Sequence, residues 1–372
     1  MEPLPPQAET VPFPLITLEG PAMERGRQYG AQAGERIAVC LAIYRAAIDA
    51  KGVEWEKARA VARRVQERLE TSHPEQMAEM RGIAEGVGEP VEDIVAINAR
   101  TELLYGLSKA AVARSEPDGC TGAIALPSVT ADGHLLHGQN WDWRDECADC
   151  GVVLRIIPDK GPRILTFVEA GMMARAGVNS AGVAITGNFL ECEKDGSRDG
   201  VPIPLIRRAV LSQTHLSDAL LTVLQSPRAF SNNLMVSHAD GDAIDLETTP
   251  DEAFWIAPDG GLLVHANHFV SAPARAKLQD RSLLVNADSL YRDRRVEAHL
   301  RAAGGSITLE TLKEAFQDRW GAPRAVCRSV VMGPGGRTSS TVATILMDVT
   351  ARRMWVAPRP YGPHSYTRYD LD

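Results

Sequence analysis

Aromatic side chains are scarce, at 5% of 372 residues, and no uncharged apolar run approaches the roughly 20 residues of a membrane-crossing helix. No membrane association is therefore expected. The stretch from Met1 to Pro14 is Pro-rich and lacks both the basic region and the apolar core of a secretory signal, so a cytoplasmic location is the expectation. Cysteine occurs six times, at positions 40, 120, 147, 150, 192 and 327, too rarely for a disulfide-stapled scaffold. Basic residues do not dominate either. Lys and Arg total 40 against 48 Asp and Glu, a formal charge of −8, and they are scattered apart from short groups such as Arg292, Arg294 and Arg295. Nucleic acid is not the expected ligand.

Two suggestive motifs lack essential parts. Cys147-Ala148-Asp149-Cys150 has the spacing of redox and zinc sites, but no second CxxC or HxxxH pair accompanies it. His134 and His137 complete a ligand set only if folding brings them close, so a loop with two thiols is the simpler reading and no metal is expected. The glycine-rich run ending in Gly336-Arg337-Thr338-Ser339 has no phosphate-loop lysine and precedes a strand pattern, which makes it a turn.

What is present is a change of period. After a short apolar strand (Phe13 to Leu18), Pro21 to Ala50 has a helical pattern in which Gly26, Gly30 and Gly34 recur every four residues on one face, a face suited to close packing. Trp55, Ala58, Ala62, Val65 and Leu69 stripe a second helix, and Met77, Met80 and Ile83 a third. Pro90 opens a fourth, through Leu103. From Cys120 the pattern becomes strand-like, with a hairpin turn at Asp132-Gly133. Two helical stripes between Pro204 and Gln225, a further strand meander to Asn267, helices near Ser289 to Ala303 and Leu309 to Phe316, and two closing strands complete the chain. Strands and helices in that order, without regular βαβ alternation, predict an α+β fold: two sheets covered by helices on their outer faces. Residues 1–119 form a helical N-terminal segment and 120–372 the sandwich core.

The chemistry sits at this boundary. Asp118-Gly119 favours a turn, and glycine reaches backbone conformations closed to other residues, so the Gly119 carbonyl can be presented to the Cys120 thiol. Attack there moves the acyl group from nitrogen to sulfur, and hydrolysis leaves Cys120 as a new N-terminus. Its α-amine, with an ordinary pKa of about 7.7–8.0, is partly neutral near pH 7 and can serve as general base for its own thiol. The plainer alternative is a small buried cysteine.

Asp118-Gly119-Cys120-Thr121 and Gly138-Gln139-Asn140-Trp141-Asp142 resemble the cleavage site and following strand of the penicillin acyltransferase family of self-cleaving cysteine N-terminal-nucleophile hydrolases. The likeness extends through Gly177 to Gly182, His265-Ala266-Asn267-His268, and the strand pair after Cys327-Arg328. The resemblance implies an αββα sandwich, cleavage between Gly119 and Cys120, and two fragments that stay together as a heterodimer. It assigns Cys120 as nucleophile, Asp142 as the carboxylate orienting it, and Asn267 as amide donor to the oxyanion. Asn188 resembles a second polar group of the related bile-salt and penicillin V hydrolases, and Arg328, or alternatively Arg337, a later site arginine. Those relatives carry an arginine where this chain has Gln139.

The resulting expectation is a self-processing amide hydrolase or acyltransferase acting on a small-molecule amide or acyl donor. It needs no cofactor, with acyl-CoA as a possible co-substrate. The competing readings are an amidase that never cleaves itself and uses a Cys-His dyad with His265 or His268, and a non-catalytic metal-binding protein using Cys147 and Cys150.

Overall fold

The computed structural model describes residues 11–107, 119–333 and 336–372; Asp118, Pro334 and Gly335 lie outside them. Strand β1 (Leu15–Gly20) precedes helices α1 (Ala22–Asp49), α2 (Trp55–Ser72), α3 (Pro74–Val87), α4 (Val91–Asn98) and α5 (Arg100–Gly106). A first run of strands comprises β2 (Cys120–Ala125), β3 (Leu136–Arg144), β4 (Gly151–Pro158), β5 (Ile164–Glu169), β6 (Ala176–Asn179) and β7 (Val183–Phe189). After α6 (Ile203–Leu211) and α7 (Leu216–Gln225) come β8 (Asn232–His238), β9 (Asp242–Thr248), β10 (Ala253–Ile256) and β11 (Leu262–His265). Helices α8 (Ala272–Lys277), α9 (Ser289–Ala302) and α10 (Leu309–Phe316) lead to β12 (Val331–Met332), β13 (Thr338–Asp348), β14 (Arg353–Pro358) and β15 (Thr367–Asp370).

These strands build an eight-stranded sheet, ordered β1-β4-β5-β6-β7-β8-β9-β10, and a seven-stranded sheet, ordered β11-β2-β3-β13-β14-β15 with β12 on β13. The sheets face each other where β2 and β3 meet β7, and where β13 and β14 meet β6. Helices α1, α6 and α7 cover the outer face of the larger sheet, and α9 and α10 that of the smaller. This is the expected αββα sandwich. The main apolar core fills the space between the sheets and beneath the N-terminal helices, and a second cluster lies between the smaller sheet and α9 and α10.

Because each sheet is covered on both sides, β2, β3, β5, β7 and β8 are buried at every position. Such strands show no alternation. That is why the sequence pattern ends the strand after His134 at Gly138, whereas β3 runs on through Gln139, Asn140 and Asp142 to Arg144. The fourth predicted helix divides at Ala99 into α4 and α5. The short β6, α8 and β15 carry too few residues to give a periodic signal.

The glycine face of α1 meets a matching one on α3. A β-carbon on Gly26 would lie 2.0 Å from the Glu79 carbonyl oxygen, and one on Gly82 2.1 Å from that of Met23. Gly30 and Gly86 are closed in the same way, each 2.4 Å from a backbone oxygen of the other helix. Gly34 meets only Val87 Cγ2 at 3.8 Å, so it stands outside the tight contact. Beside this contact Arg25 and Arg208 share the buried Glu79 carboxylate, which ties α1, α3 and α6 together.

The N-terminal segment is built into the sandwich. Strand β1 pairs in parallel with β4, from Leu15 opposite Val153 to Gly20 opposite Pro158, forming one edge of the eight-stranded sheet. Among the described residues no helix is long and apolar enough to cross a membrane.

Candidate active site

Cys120 is the first residue of β2 and lies opposite Trp141 of β3. The ladder continues one residue upstream, where the Asp142 N–H donates to the Gly119 carbonyl over 2.7 Å. Gly119 has no room for a side chain: a β-carbon would fall 2.7 Å from Arg328 Nη2 and 2.7 Å from Asp142 Oδ2. The peptide between Gly119 and Cys120 is thus held by a main-chain donor on one side and crowded by an ion pair on the other.

Strand β11 pairs with β2 on its other side, with His265 opposite Gly122. Two residues further on, that register brings Asn267 level with Cys120. Its Oδ1 accepts the Cys120 N–H at 2.6 Å, while one N–H of its amide donates to the Phe189 carbonyl at 2.8 Å. Asn267 therefore turns its oxygen, not its nitrogen, toward the Cys120 backbone.

From α9, the fully buried Arg292 reaches the same point. Its Nη1 donates to the Cys120 carbonyl at 2.6 Å and to Thr121 Oγ1 at 2.8 Å, its Nη2 to Asn267 Oδ1 at 2.8 Å, and its Nε to Asp288 Oδ2 at 2.8 Å. Asp288 Oδ2 also accepts from Arg328 Nη2 at 2.7 Å, and Arg328 Nε lies 3.5 Å from Asp142 Oδ2. Burial would raise the Asp288 pKa, but Arg292 and Arg328 outweigh it and hold the carboxyl below its ordinary value. The chain of contacts from Asp142 through Arg328, Asp288, Arg292 and Asn267 runs around the Gly119-Cys120 peptide.

Asp142 itself is fully buried. Burial pushes its carboxyl up to about 6, against the opposing pull of Arg328, Arg292 and the hydrogen bond that Thr341 Oγ1 donates to Oδ1 at 2.6 Å. Its Oδ2 has no hydrogen-bond partner among the described residues. A carboxyl so placed switches charge close to neutral pH.

Asn188 stands elsewhere, in the interior between the sheets. Its amide nitrogen donates to Asn233 Oδ1 at 3.1 Å and to the His265 carbonyl at 3.0 Å, and its oxygen accepts from Gln139 Nε2 at 2.8 Å. It does not line the cleft in front of Cys120. Gln139, the departure from the relatives' arginine, is a neutral part of this interior network and also donates to the Gly187 carbonyl at 2.7 Å.

His265 offers no base to the thiol. The His265 ring engages the Ala266 carbonyl through Nδ1 and Glu247 through Nε2, each at 3.0 Å. Burial disfavours its charge, but Asp245 and Glu247 outweigh burial and hold its pKa up at about 9. An imidazolium cannot accept the proton of Cys120. His268 engages Ser289 at 2.7 Å and lies 3.7 Å from Asp293. Cys147 and Cys150 occupy a 3-10 turn after β3, where burial holds the Cys147 thiol well above its ordinary pKa. His134 pairs with Asp348 and His137 bridges Ser237 and Thr186, so neither joins the thiols. Among the described residues no three metal-capable side chains gather. Arg337 falls in the segment leading into β13, while Arg328 is the arginine that the fold brings to Gly119 and Asp142.

In front of Cys120 is a narrow cleft lined by Arg100, Arg175 and Arg207 together with Phe189, Ile203 and Pro204. The Arg175 guanidinium lies 3.9 Å from the centre of the Trp141 ring and that of Arg100 4.6 Å from the Trp143 ring, so both tryptophans are core residues that also support the cleft. Glu169, behind them, is shared by Arg175 and Arg100, whose charges outweigh burial and hold its carboxyl below the ordinary range. Among the described residues no carboxylate lines the cleft.

Sequence reasoning missed Arg292, Asp288 and the cleft arginines. Nothing local distinguishes Arg292 from Arg294 and Arg295; only the packing of α9 on β2 and β11 does.

The sequence profile of the family "Acyl-coenzyme A:6-aminopenicillanic acid acyl-transferase" matches residues 129–359. The "Acyl-coenzyme A:6-aminopenicillanic-acid-acyltransferase 40 kDa form" of Emericella nidulans is 30% identical over 355 residues, covering 94% of this chain and 93% of its own. Among solved structures, a variant of the conjugated bile acid hydrolase from Clostridium perfringens is 15% identical, with 68% of this chain and 92% of its own covered at a TM-score of 0.46. A Caenorhabditis elegans ortholog of N-acylethanolamine-hydrolyzing acid amidase is 12% identical, with coverage of 62% and 93% and a TM-score of 0.45.

Proposed function

Because the chain belongs to the acyl-coenzyme A:6-aminopenicillanic acid acyltransferase family, we propose that it is a self-processing cysteine amide hydrolase or acyltransferase working through an acyl-enzyme at Cys120. The observation that carries this reading is the seating of the Gly119-Cys120 peptide, with its oxygen on the Asp142 N–H at 2.7 Å and its nitrogen on Asn267 Oδ1 at 2.6 Å.

In the first reaction the Cys120 sulfur, losing its proton, attacks the Gly119 carbonyl carbon. The Asp142 N–H steadies the oxyanion. The carbon–nitrogen bond breaks, the nitrogen leaves as an amine with a proton, and water hydrolyses the thioester to a Gly119 carboxylate and a free Cys120 thiol. In turnover the new α-amine, held by Asn267 Oδ1, takes the thiol proton as sulfur attacks the substrate carbonyl. The second N–H of the Asn267 amide is then the side-chain donor for the oxyanion. Asp142, paired with Arg328, orients the nucleophile end. The leaving amine or thiol departs protonated, and water or an acceptor amine takes the acyl group from sulfur.

The substrate in this reading is a small N-acyl amide or acyl thioester. Acyl-CoA enters this scheme only as a co-substrate. The two fragments stay associated as a heterodimer. Denaturing mass measurement tests the reading: the wild-type chain should give two fragments divided after Gly119, and Cys120→Ala a single whole chain. Turnover of N-acyl amides by an uncleaved wild-type chain would overturn it.

A further inference from the structure

From its contacts we infer that Arg292 is a positioning residue for the reaction at Cys120, acting by fixing which way the Asn267 amide faces; the inference rests on the self-processing reading above. An asparagine amide can present either its oxygen or its nitrogen to a neighbour, and the two ends are alike in shape. Which end faces Cys120 decides whether the nucleophile's nitrogen is held by an acceptor or repelled by a donor.

The Cys120 N–H and Phe189 carbonyl each favour one orientation; the first changes when the chain is cut and the nitrogen becomes an amine able to donate or accept, while the second stays an acceptor and holds only the nitrogen end. Arg292 does not change. A guanidinium has donors only, so Nη2 at 2.8 Å from Asn267 Oδ1 locks the oxygen toward Cys120 in both forms of the chain. Its Nη1 holds the Cys120 carbonyl at 2.6 Å and Thr121 Oγ1 at 2.8 Å, pinning the main chain one bond from the nucleophile.

The fork itself is braced. Its Nε is anchored on Asp288 at 2.8 Å, the same carboxylate oxygen that holds Arg328 at 2.7 Å. Arg292 is therefore registered against the Asp142 side of the site as well as the Asn267 side. It is completely buried and does not line the cleft, so it can touch neither solvent nor a substrate bound there. No lysine can reproduce four such contacts, because its ammonium is a single point of charge.

The test uses the chain as its own substrate. Wild type, Arg292→Lys and Arg292→Gln are synthesised in full, and self-cleavage is followed by denaturing mass measurement, with thermal unfolding recorded for each. Misplacement of reacting groups by about 1 Å costs about 100-fold in rate, which is the slowing expected for Arg292→Gln. Arg292→Lys should recover part of it, about tenfold. In both, the rate loss should be out of proportion to any change in melting temperature.

Cleavage of Arg292→Gln at the wild-type rate, or equal slowing of the two variants in step with lost stability, would overturn the inference and leave the self-processing reading standing. So would failure of both variants to fold, which would assign Arg292 to stability alone. A wild-type chain that never cleaves would overturn the reading itself, and the inference with it.

Discussion

Gly119 Cα and the Asp142 carboxylate are so close that a single added carbon on Gly119 would come within 2.7 Å of Asp142 Oδ2, and equally near Arg328 Nη2. Both neighbours are fully buried and cannot swing into solvent. Gly119→Ala should accordingly displace the peptide from its seat while leaving β2 and β3 paired. The expected result is self-cleavage slowed by about 100-fold, more than the accompanying loss of about 1–3 kcal/mol of stability explains, read from the ratio of whole to cut chain over time.

The buried Asp142 carboxyl gains its charge around pH 6. Its ionised form, the one that pairs with Arg328, is the minor species well below that pH and the major one above it. Self-cleavage should therefore rise about tenfold from one pH unit below that midpoint to one unit above it. Asp142→Asn should remove this acid limb, because its amide does not titrate. The check is a pH series of cleavage rates for both chains.

The helix pair α1 and α3 makes a paired prediction. Gly30→Ala or Gly82→Ala drives a methyl group into the opposite backbone, where nothing can yield, and should cost about 1–3 kcal/mol or more. Gly34→Ala, facing open contact at 3.8 Å, should instead gain about 0.5–1 kcal/mol of helix propensity. Urea unfolding of the three variants separates the outcomes by sign.

His265 supplies a stability signature. Its folded pKa, about 9, stands above the ordinary 6.5 because Asp245 and Glu247 outweigh burial. A raised pKa means that the folded chain holds a proton that the unfolded chain has released. The stabilisation is thus complete below 6.5 and is lost as pH rises through about 9. Unfolding free energy should fall across that window, and His265→Gln should flatten the fall. Asp245, raised by burial to about 6, titrates below the window.

Much of this architecture can be read from the chain itself. The three long N-terminal helices carry stripes that the structure buries, and the glycine face of α1 signals a close partner without revealing that α3 supplies matching glycines. Strand β3 was less legible because both its faces are interior, so its polar residues look like the end of a strand. Cys120, Asp142, Asn267 and Arg328 are legible as parts of one motif set, and the fold brings them together. Asn188 carries the same kind of signal yet is bound within the interior. Arg292 is illegible for a physical reason: one turn of α9 places it inward and Arg294 outward, and sequence shows two arginines in one basic group.

The parallel pairing of β1 with β4 has a consequence for how the molecule can be taken apart. A cut after Gly119 would free no piece, because the upstream half is stitched into the larger sheet by a whole strand and capped onto it by α1. Pulling the halves apart would bare the main-chain edge of β4 and the apolar floor under α1, a surface that invites pairing with other copies. The downstream half made alone should therefore aggregate, and the cut chain should resist separation by anything milder than unfolding.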